Sequence, residues 1–211
     1  MSEILSEISA MIIDGNFREM GDKTNAAIAE GIEAKTILNE GLMLGMDHVG
    51  IEFKAGNFFV PEVLRSAKSM QEAMNIIRPI LAETGSVPAG KILLGSVKGD
   101  LHDIGKNLVG MMCEGAGFEV IDIGKDVDPA AFVKAVNEHQ PDILGLSALL
   151  TTTMLSMERT IKALVEAGIR ESIKVLVGGA PVTQDFADQI GADGYASNAA
   201  TASDLAKQIT G

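Results

Sequence analysis

Apolar residues recur at helical spacing over roughly the first 84 residues of the chain. This spacing is typical of amphipathic helices. Turn-forming residues interrupt it at 14–16, around Gly31 and at 56–57, and Pro61 falls in the first turn of the last run, where a helix tolerates proline. We therefore predict about four helices that pack as a small bundle. The apolar positions are Ile4, Leu5, Ile8, Met11 and Ile12, then Leu38, Leu42, Met46, Val49 and Phe53, then Val60, Val63, Leu64, Ala67, Met70, Met74, Ile77 and Leu81.

Three glycines, Gly41, Gly45 and Gly50, lie inside the third predicted helix. Each glycine costs up to about 1 kcal/mol of helix stability relative to alanine, so these positions need an explanation. Either another helix approaches closely there, or a bound group lies against that face. The sequence alone favours close helix packing.

After residue 90 the pattern changes to short apolar runs of the kind that form buried strands. Such runs, alternating with helical stretches, predict an α/β domain: a flavodoxin-like, five-stranded parallel sheet with helices on both faces. Ligands of such sheets bind beyond the carboxyl ends of the strands, so the informative residues should follow each run. The predicted strands are 91–96, 118–122, 142–147, 173–178 and a weaker 193–197, and the predicted helices are roughly 103–116, 129–139, 152–168, 182–190 and 199–209.

A small, polar, turn-prone segment at 83–90 separates the two patterns and has the composition of a linker. We predict a helical bundle domain over 1–84, a linker over 85–90 and the α/β domain over 91–211.

Composition narrows the function classes. With 17 Lys and Arg against 29 Asp and Glu, the chain has a formal charge of −12, which argues against nucleic acids and anionic membranes as partners. Its single cysteine, Cys113, cannot form an internal disulfide, and we expect it to be buried. No export signal is visible and no apolar stretch approaches the roughly 20 residues of a membrane span, so we expect a cytoplasmic protein.

Small and polar residues follow three of the predicted strands. The segment 99–107 follows the first, the hydroxyl-rich segment 147–153 follows the third, and Gly178 and Gly179 follow the fourth. None of these is specific alone, because paired glycines after a strand usually form a turn and clustered hydroxyl residues usually cap a helix.

His102 has two interpretations. It is either a loop histidine facing solvent or bonding the backbone, or a metal ligand whose second ring nitrogen is held by Asp100. No cysteine or second histidine lies nearby in the sequence to complete a zinc site, which makes a metal cage built from protein alone improbable. A metal already held by a cofactor, needing one axial ligand from the protein, fits better.

Together these motifs resemble the signature of cobalamin-binding domains: Asp100-x-His102-x-x-Gly105, then Ser147-x-Leu149, then Gly178-Gly179. A weaker similarity follows the last strand, at Tyr195 and Asn198. Upstream, residues 45–67 are similar to the helical cap module of cobalamin-dependent methionine synthase. Because a cap and a cobalamin domain cover nearly the whole chain, it resembles the small corrinoid proteins of methyltransferase systems.

The resemblance implies a cobalamin in the base-off/His-on form, with His102 as the lower axial ligand of cobalt. Asp100 and Thr153 would continue a hydrogen-bond relay, although methionine synthase carries serine in place of Thr153. Phe53 and Val60 would cover the upper face of the corrin, with valine replacing a leucine; read without the resemblance, both are ordinary core residues. The other implied cofactor-binding residues are Asp103, Ile104, Gly105, Ser147, Leu149, Thr151, Gly178 and Gly179.

The resemblance further implies a methyl carrier in one-carbon metabolism rather than a catalyst, since no substrate-activating acid, base or nucleophile is apparent. One partner would be a methyltransferase that uses methanol, methylamines, betaines or methyl ethers. The others would be a methyltransferase that loads tetrahydrofolate or a thiol, and a reductive activase. The linker at 85–90 would be the hinge that lets the cap move aside.

Three alternatives remain. A cobalamin-based sensor would pair the same two domains, but it usually needs an output module, and none is visible. A flavodoxin-like receiver would need a phosphorylatable aspartate where Ser147 stands. A nucleotide-binding module would need a G-x-G-x-x-G pattern after the first predicted strand, and the sequence has none there. The cobalamin domain of a carbon-skeleton mutase is not expected to carry cap helices.

Overall fold

A computed structural model describes residues 2–83 and 88–210 of the chain. They form two compact units, one of residues 2–83 and 88 with 115–117 and one of residues 89–114 with 118–210. Much of the predicted linker, residues 85–87, lies outside the described residues.

The first unit is helical. The predicted breaks are confirmed, because Gly15, Gly31 and Gly56 adopt the positive φ angles that end helices at these points. The third predicted helix is confirmed with a modification, since a π-helical segment lies in its first half. The elements are α1 (Glu3–Ile13), α2 (Met20–Ala29), α3 (Ala34–Thr36), the π-helical segment Ile37–Met43, α4 (Leu44–Ala55) and α5 (Val60–Glu83).

Two of the three helix glycines lie where α1 packs against the third predicted helix. A Cβ atom at Gly41 would lie 3.0 Å from Cγ2 of Ile8, and one at Gly45 would lie 2.7 Å from Cβ of Ile12. Ile8 and Ile12 are fully buried. The prediction of close helix packing is therefore confirmed at Gly41 and Gly45.

The second unit is an α/β domain, as predicted. In the described part of the chain, its strands form one parallel sheet in the order β2-β1-β3-β4-β5. The order reverses between β1 and β3, and at such a switch point a crevice opens beyond the carboxyl ends of the strands. The elements are β1 (Lys91–Ser96), α6 (Ile104–Gly115), β2 (Glu119–Asp122), α7 (Pro129–His139), β3 (Ile143–Ser147), α8 (Thr151–Glu166), a 3₁₀ turn (Arg170–Ser172), β4 (Lys174–Gly178), α9 (Gln184–Ile190), β5 (Gly194–Ala196) and α10 (Ala199–Thr210).

The two faces of this sheet differ in how tightly they are packed. Alternate strand residues such as Leu93, Leu144 and Val175 belong to a tight core with Phe132 of α7 and Met157 of α8. The residues between them point to the opposite face, because side chains alternate along a strand. The side chains of that second face do not fill the space beside them, and a cavity lies there.

Candidate functional site

A cavity of about 490 Å³ extends from the carboxyl edge of the sheet into the α/β unit. Its wall on the sheet side is apolar, and its opposite wall comes from α6 and α10. Among the lining residues are Ile92, Leu94, Ile143, Gly145 and Leu176 from strands, Lys106, Val109 and Cys113 from α6, and Ala202 and Ala206 from α10. Such an elongated, largely apolar space suits a small molecule or the tail of a larger one.

Three glycines line the cavity where neighbouring segments pack closely. A Cβ atom at Gly145 would lie 2.5 Å from Cδ2 of Leu94, and one at Gly178 would lie 3.1 Å from the carbonyl oxygen of Ala196. Gly179 has a φ of 132°, and a Cβ there would collide with the carbonyl of Ala148 at 1.8 Å. The backbone conformation at Gly179 is therefore open only to glycine.

His102 lies at the mouth of this cavity, in the loop between β1 and α6. Oδ1 of Asp100 accepts the backbone N–H of His102 at 3.0 Å and lies 2.8 Å from its ring Nδ1. The first contact closes a turn of the Asx type, which an aspartate two residues upstream forms readily. The hydroxyl of Ser96 anchors the same loop by donating to the carbonyl of His102 at 2.6 Å.

This geometry assigns the tautomer of the neutral ring. Because a carboxylate only accepts, the hydrogen-bond network places the proton on Nδ1 and leaves the lone pair on Nε2. The His102 side chain is 51% exposed, whereas the Asp100 side chain is 1% exposed. An exposed imidazole nitrogen held by a buried carboxylate is the arrangement of a metal-binding histidine with its supporting group.

The second oxygen of Asp100 bonds the start of α8. Oδ2 accepts the backbone N–H of Leu149 at 2.7 Å and the hydroxyl of the buried Thr153 at 2.7 Å. Burial raises the pKa of the Asp100 carboxyl. The hydrogen bonds donated by Thr153, Leu149 and His102 outweigh burial and hold this pKa well below its usual range, so Asp100 is charged at neutral pH.

We expect Asp100→Asn to lower the free energy of unfolding by about 1–3 kcal/mol at pH 7, because an amide cannot accept at both positions. A depressed pKa stabilises the fold above the unfolded value, near pH 4, and this contribution is lost as the pH falls through the folded value. The difference between wild type and Asp100→Asn should therefore narrow below about pH 4. Denaturant titrations followed by circular dichroism over a pH series measure it, and a difference independent of pH would contradict the assignment.

Thr153 offers a test of the relay that the resemblance to cobalamin-binding domains implied. Thr153→Val keeps the shape but removes the hydroxyl that donates to Asp100, whereas Thr153→Ser keeps the donor. We expect Thr153→Val to cost about 1–2 kcal/mol of unfolding free energy at pH 7 and Thr153→Ser clearly less. Parallel denaturant curves of the two variants check this. A loss in Thr153→Ser with none in Thr153→Val would show that the methyl group of Thr153 matters and the hydroxyl does not.

The cavity brings together most of the predicted site residues: His102, Asp103, Ile104, Gly105, Ser147, Leu149, Gly178 and Gly179. Asp100 does not line the cavity but contacts the ring of His102, and Thr153 donates a hydrogen bond to Asp100. Thr151 is exposed at the first position of α8 and does not line the cavity. Phe53 and Val60 belong to the helical unit, where Phe53 is half-buried and Val60 is exposed, and their role as a cover stays a prediction.

Several lining residues were missed by the sequence reasoning. Cys113 is buried, as predicted, and it also forms part of the cavity wall, where burial raises the pKa of its thiol to about 12. Ala202 and Ala206 line the cavity from one face of α10. Their four-residue spacing and the glycine inside β3, Gly145, were the available signals, since small residues at such positions make room for a neighbour.

Large apolar side chains surround the mouth of the cavity and are exposed. Of the residues that line the cavity, Leu101 is 65% exposed, Ile104 is 72% exposed, and Leu149 is exposed as well. Exposed apolar residues concentrated around one polar side chain, here His102, are typical of a surface that binds another group.

Within residues 2–83 and 88–210, no three His, Cys, Asp or Glu side chains form a group that could hold a metal ion. A metal held at His102 would therefore need further ligands from outside these side chains. Among the helices that the structure describes, none has the length and apolar character of a membrane span.

Comparison with known proteins gives the family of both units. Residues 90–203 match the family model of the B12 binding domain, and residues 4–78 match a second model with the same description. The chain is 44% identical to dimethylamine corrinoid protein 2 of Methanosarcina acetivorans, covering 98% of this chain and 96% of that protein.

Two solved structures are similar along the whole chain. One is a cobalamin-binding protein from Desulfitobacterium hafniense, with a TM-score of 0.82, 33% identity and 98% coverage of both chains. The other belongs to the methanol:cobalamin methyltransferase complex MtaBC of Methanosarcina barkeri, with a TM-score of 0.86 and 32% identity. That match covers 99% of this chain and 80% of the other.

Proposed function

We propose, from the premise that this chain belongs to the B12-binding corrinoid proteins of methyltransferase systems, that it carries a methyl group on cobalt between two partner methyltransferases. The observation that supports this most directly is the Asp100–His102 pair, which presents one imidazole nitrogen at the mouth of an apolar cavity.

The site fits a corrinoid on three counts. The cavity of about 490 Å³ offers space for a nucleotide tail, and Gly145, Gly178 and Gly179 line it without side chains. Exposed apolar side chains around the mouth offer a surface for a macrocycle. His102 offers a single lone pair at Nε2, as the base-off/His-on form requires. When bound, the corrinoid supplies a cobalt ion that accepts and gives up a methyl group.

The chain's own residues would orient the imidazole that holds the bound group. Asp100 holds the ring of His102 in one tautomer and one orientation, which raises its basicity as a ligand. Thr153 and the amide of Leu149 keep Asp100 charged, so Asp100 remains an acceptor for the Nδ1–H group of His102. Apolar residues at the mouth would exclude water from the bound group.

The residues that line the cavity indicate which steps a partner enzyme must perform. Apart from the pair at the mouth, the cavity is lined mainly by apolar side chains and glycines, so activation of the methyl donor falls to a separate enzyme. The dimethylamine relative and the methanol complex make methylamines and methanol the first donors to test. The acceptor methyltransferase, the reductive activase and the cytoplasmic location stay predictions.

Methyl transfer from a labelled donor tests the proposal. The protein is loaded with hydroxocobalamin, reduced, and mixed with purified dimethylamine- or methanol-specific methyltransferase and a carbon-13 methyl donor. We expect stoichiometric label on the protein-bound corrinoid with one of these enzymes, and no label without the enzyme. Bound corrinoid that takes no label from any donor enzyme, including those for betaines and methyl ethers, would contradict the carrier role and favour a sensor.

A further inference from the structure

Asp126 contacts the loop that carries His102 by two hydrogen bonds. Its backbone N–H donates to the carbonyl oxygen of Asp100 at 2.9 Å. Its side-chain Oδ1 accepts the backbone N–H of Gly99 at 2.8 Å. The peptide that joins Gly99 to Asp100 lies between these two contacts and is therefore held on both sides by one residue.

The backbone of Asp126 supports a dedicated role. Its φ is 56°, and in the described residues only one other residue besides glycines, Gln140, has a positive φ. A residue with a Cβ pays a conformational cost in this left-handed region, and glycine would not. An aspartate is tolerated there, and unlike glycine it brings a carboxylate that can accept the Gly99 N–H.

The segment around Asp126 is anchored independently of this contact. The backbone of Val127 donates to the carbonyl of Ser96, and the backbone of Ser96 donates to the carbonyl of Gly124, both at 3.0 Å. These bonds extend the pairing of β1 with the neighbouring chain segment. Asp126 thus projects from a fixed backbone toward the loop.

We propose that Asp126 is a positioning residue for the axial ligand, acting through Asp100. By fixing the peptide between Gly99 and Asp100, it sets the direction of the Asp100 carboxylate, which in turn orients the ring of His102. The inference rests on the proposed function for what the oriented histidine does, but the orientation itself can be measured without a corrinoid.

Asp128 supplies the matched control, because Lys98 contacts both Asp126 and Asp128. Nζ of Lys98 lies 3.4 Å from Oδ1 of Asp126 and 3.2 Å from Oδ2 of Asp128. Asp128→Asn removes one of these ion pairs and leaves the Gly99 contact in place. Asp126→Gly suits the left-handed backbone but removes the acceptor, and Asp126→Asn keeps an acceptor oxygen while removing the charge.

The experiment is nuclear magnetic resonance of the full chain, labelled with nitrogen-15 and free of corrinoid. Amide hydrogen exchange is measured at His102 and Leu149, whose N–H groups both donate to Asp100, and at residues of β3 and β4 as a check on the fold. We expect Asp126→Gly to speed exchange at His102 and Leu149 by about fivefold to tenfold, the effect of losing one hydrogen bond. The fraction of His102 rings protonated at Nδ1, read from the ring nitrogen shifts, should fall.

Asp126→Asn and Asp128→Asn should both resemble the wild type in these measurements. Unchanged exchange at His102 and Leu149 and an unchanged tautomer in Asp126→Gly would overturn the proposal, as would equal losses in Asp126→Asn. The result is independent of the methyl-carrier role, which fails separately if the wild-type chain does not retain cobalamin.

Discussion

Gly105→Leu is expected to weaken cobalamin binding by about 10- to 100-fold while leaving the fold intact. Gly105 is the second residue of α6 and lines the rim of the cavity. A Cβ added there meets no atom of the protein within 4 Å, so the new side chain can extend into space that a ligand would use.

Folding should not suffer from this change. Leucine is a better helix former than glycine, so the unfolding free energy of Gly105→Leu should be equal to that of the wild type or up to about 1 kcal/mol higher. Titration with hydroxocobalamin, followed by gel filtration and absorbance, gives the affinity, and thermal unfolding by circular dichroism gives the stability.

Ala131→Leu is the matched control for Gly105→Leu. It adds the same side chain to the first turn of another helix, α7, at an exposed position that does not line the cavity. We expect wild-type affinity for cobalamin in this variant. If Gly105→Leu also bound cobalamin with wild-type affinity, the cavity could not be the site of the nucleotide tail.

The second large effect is expected from His102→Ala. Removal of the imidazole should abolish the absorbance features of nitrogen ligation and leave cobalamin bound without a protein ligand. Losing the supporting partner of a ligand typically costs about 10- to 100-fold in metal affinity, so losing the ligand itself should cost at least about tenfold. The tail cavity remains in this variant, and for that reason we expect weakened rather than abolished retention of cobalamin.

His139→Ala is the appropriate control for His102→Ala. His139 is the last residue of α7 in the same unit, and it does not line the cavity. Its variant should bind cobalamin with the wild-type spectrum. A wild-type spectrum in His102→Ala would instead assign the axial position to the cofactor's own base or to water.

The sequence predicted the fold closely because the spacing of apolar residues and the positions of turn-forming residues indicate the same elements along the chain. The run 91–96 is the observed strand β1, and the helix predicted at 129–139 is α7 with the same ends. Pro129 at the start of α7 and Gly191 at the end of α9 mark helix boundaries by local chemistry that needs no tertiary information.

The motif at Asp100, His102 and Gly105 identified His102 as the candidate metal-binding residue. The cavity beside it could not be predicted from the sequence. Which face of the sheet is filled and which is open depends on the size of side chains that meet across elements, as Gly145 and Ala206 do. The role of Asp126 depends on a left-handed φ and on contact with a loop 27 positions away in sequence, neither of which leaves a periodic signal.

The π-helical segment Ile37–Met43 was also beyond the sequence. Apolar spacing predicts a helix over this region, but a local shift of the hydrogen-bond pattern changes the spacing by less than the pattern can resolve. The same limit applies to Thr151, because a hydroxyl residue at a helix start can point to a ligand or to solvent.

Electron paramagnetic resonance of the wild-type chain, loaded with cobalamin and reduced to cobalt(II), tests the central claim most directly. The protein is prepared with natural histidine and with nitrogen-15 histidine, while the cobalamin keeps natural nitrogen. A single axial nitrogen-14 splits the cobalt lines into triplets, and nitrogen-15 splits them into doublets. Ligation by His102 predicts that labelled histidine converts triplets to doublets and that His102→Ala loses both. Triplets that persist with labelled histidine would show that the cofactor's own base holds the cobalt, and would contradict the account.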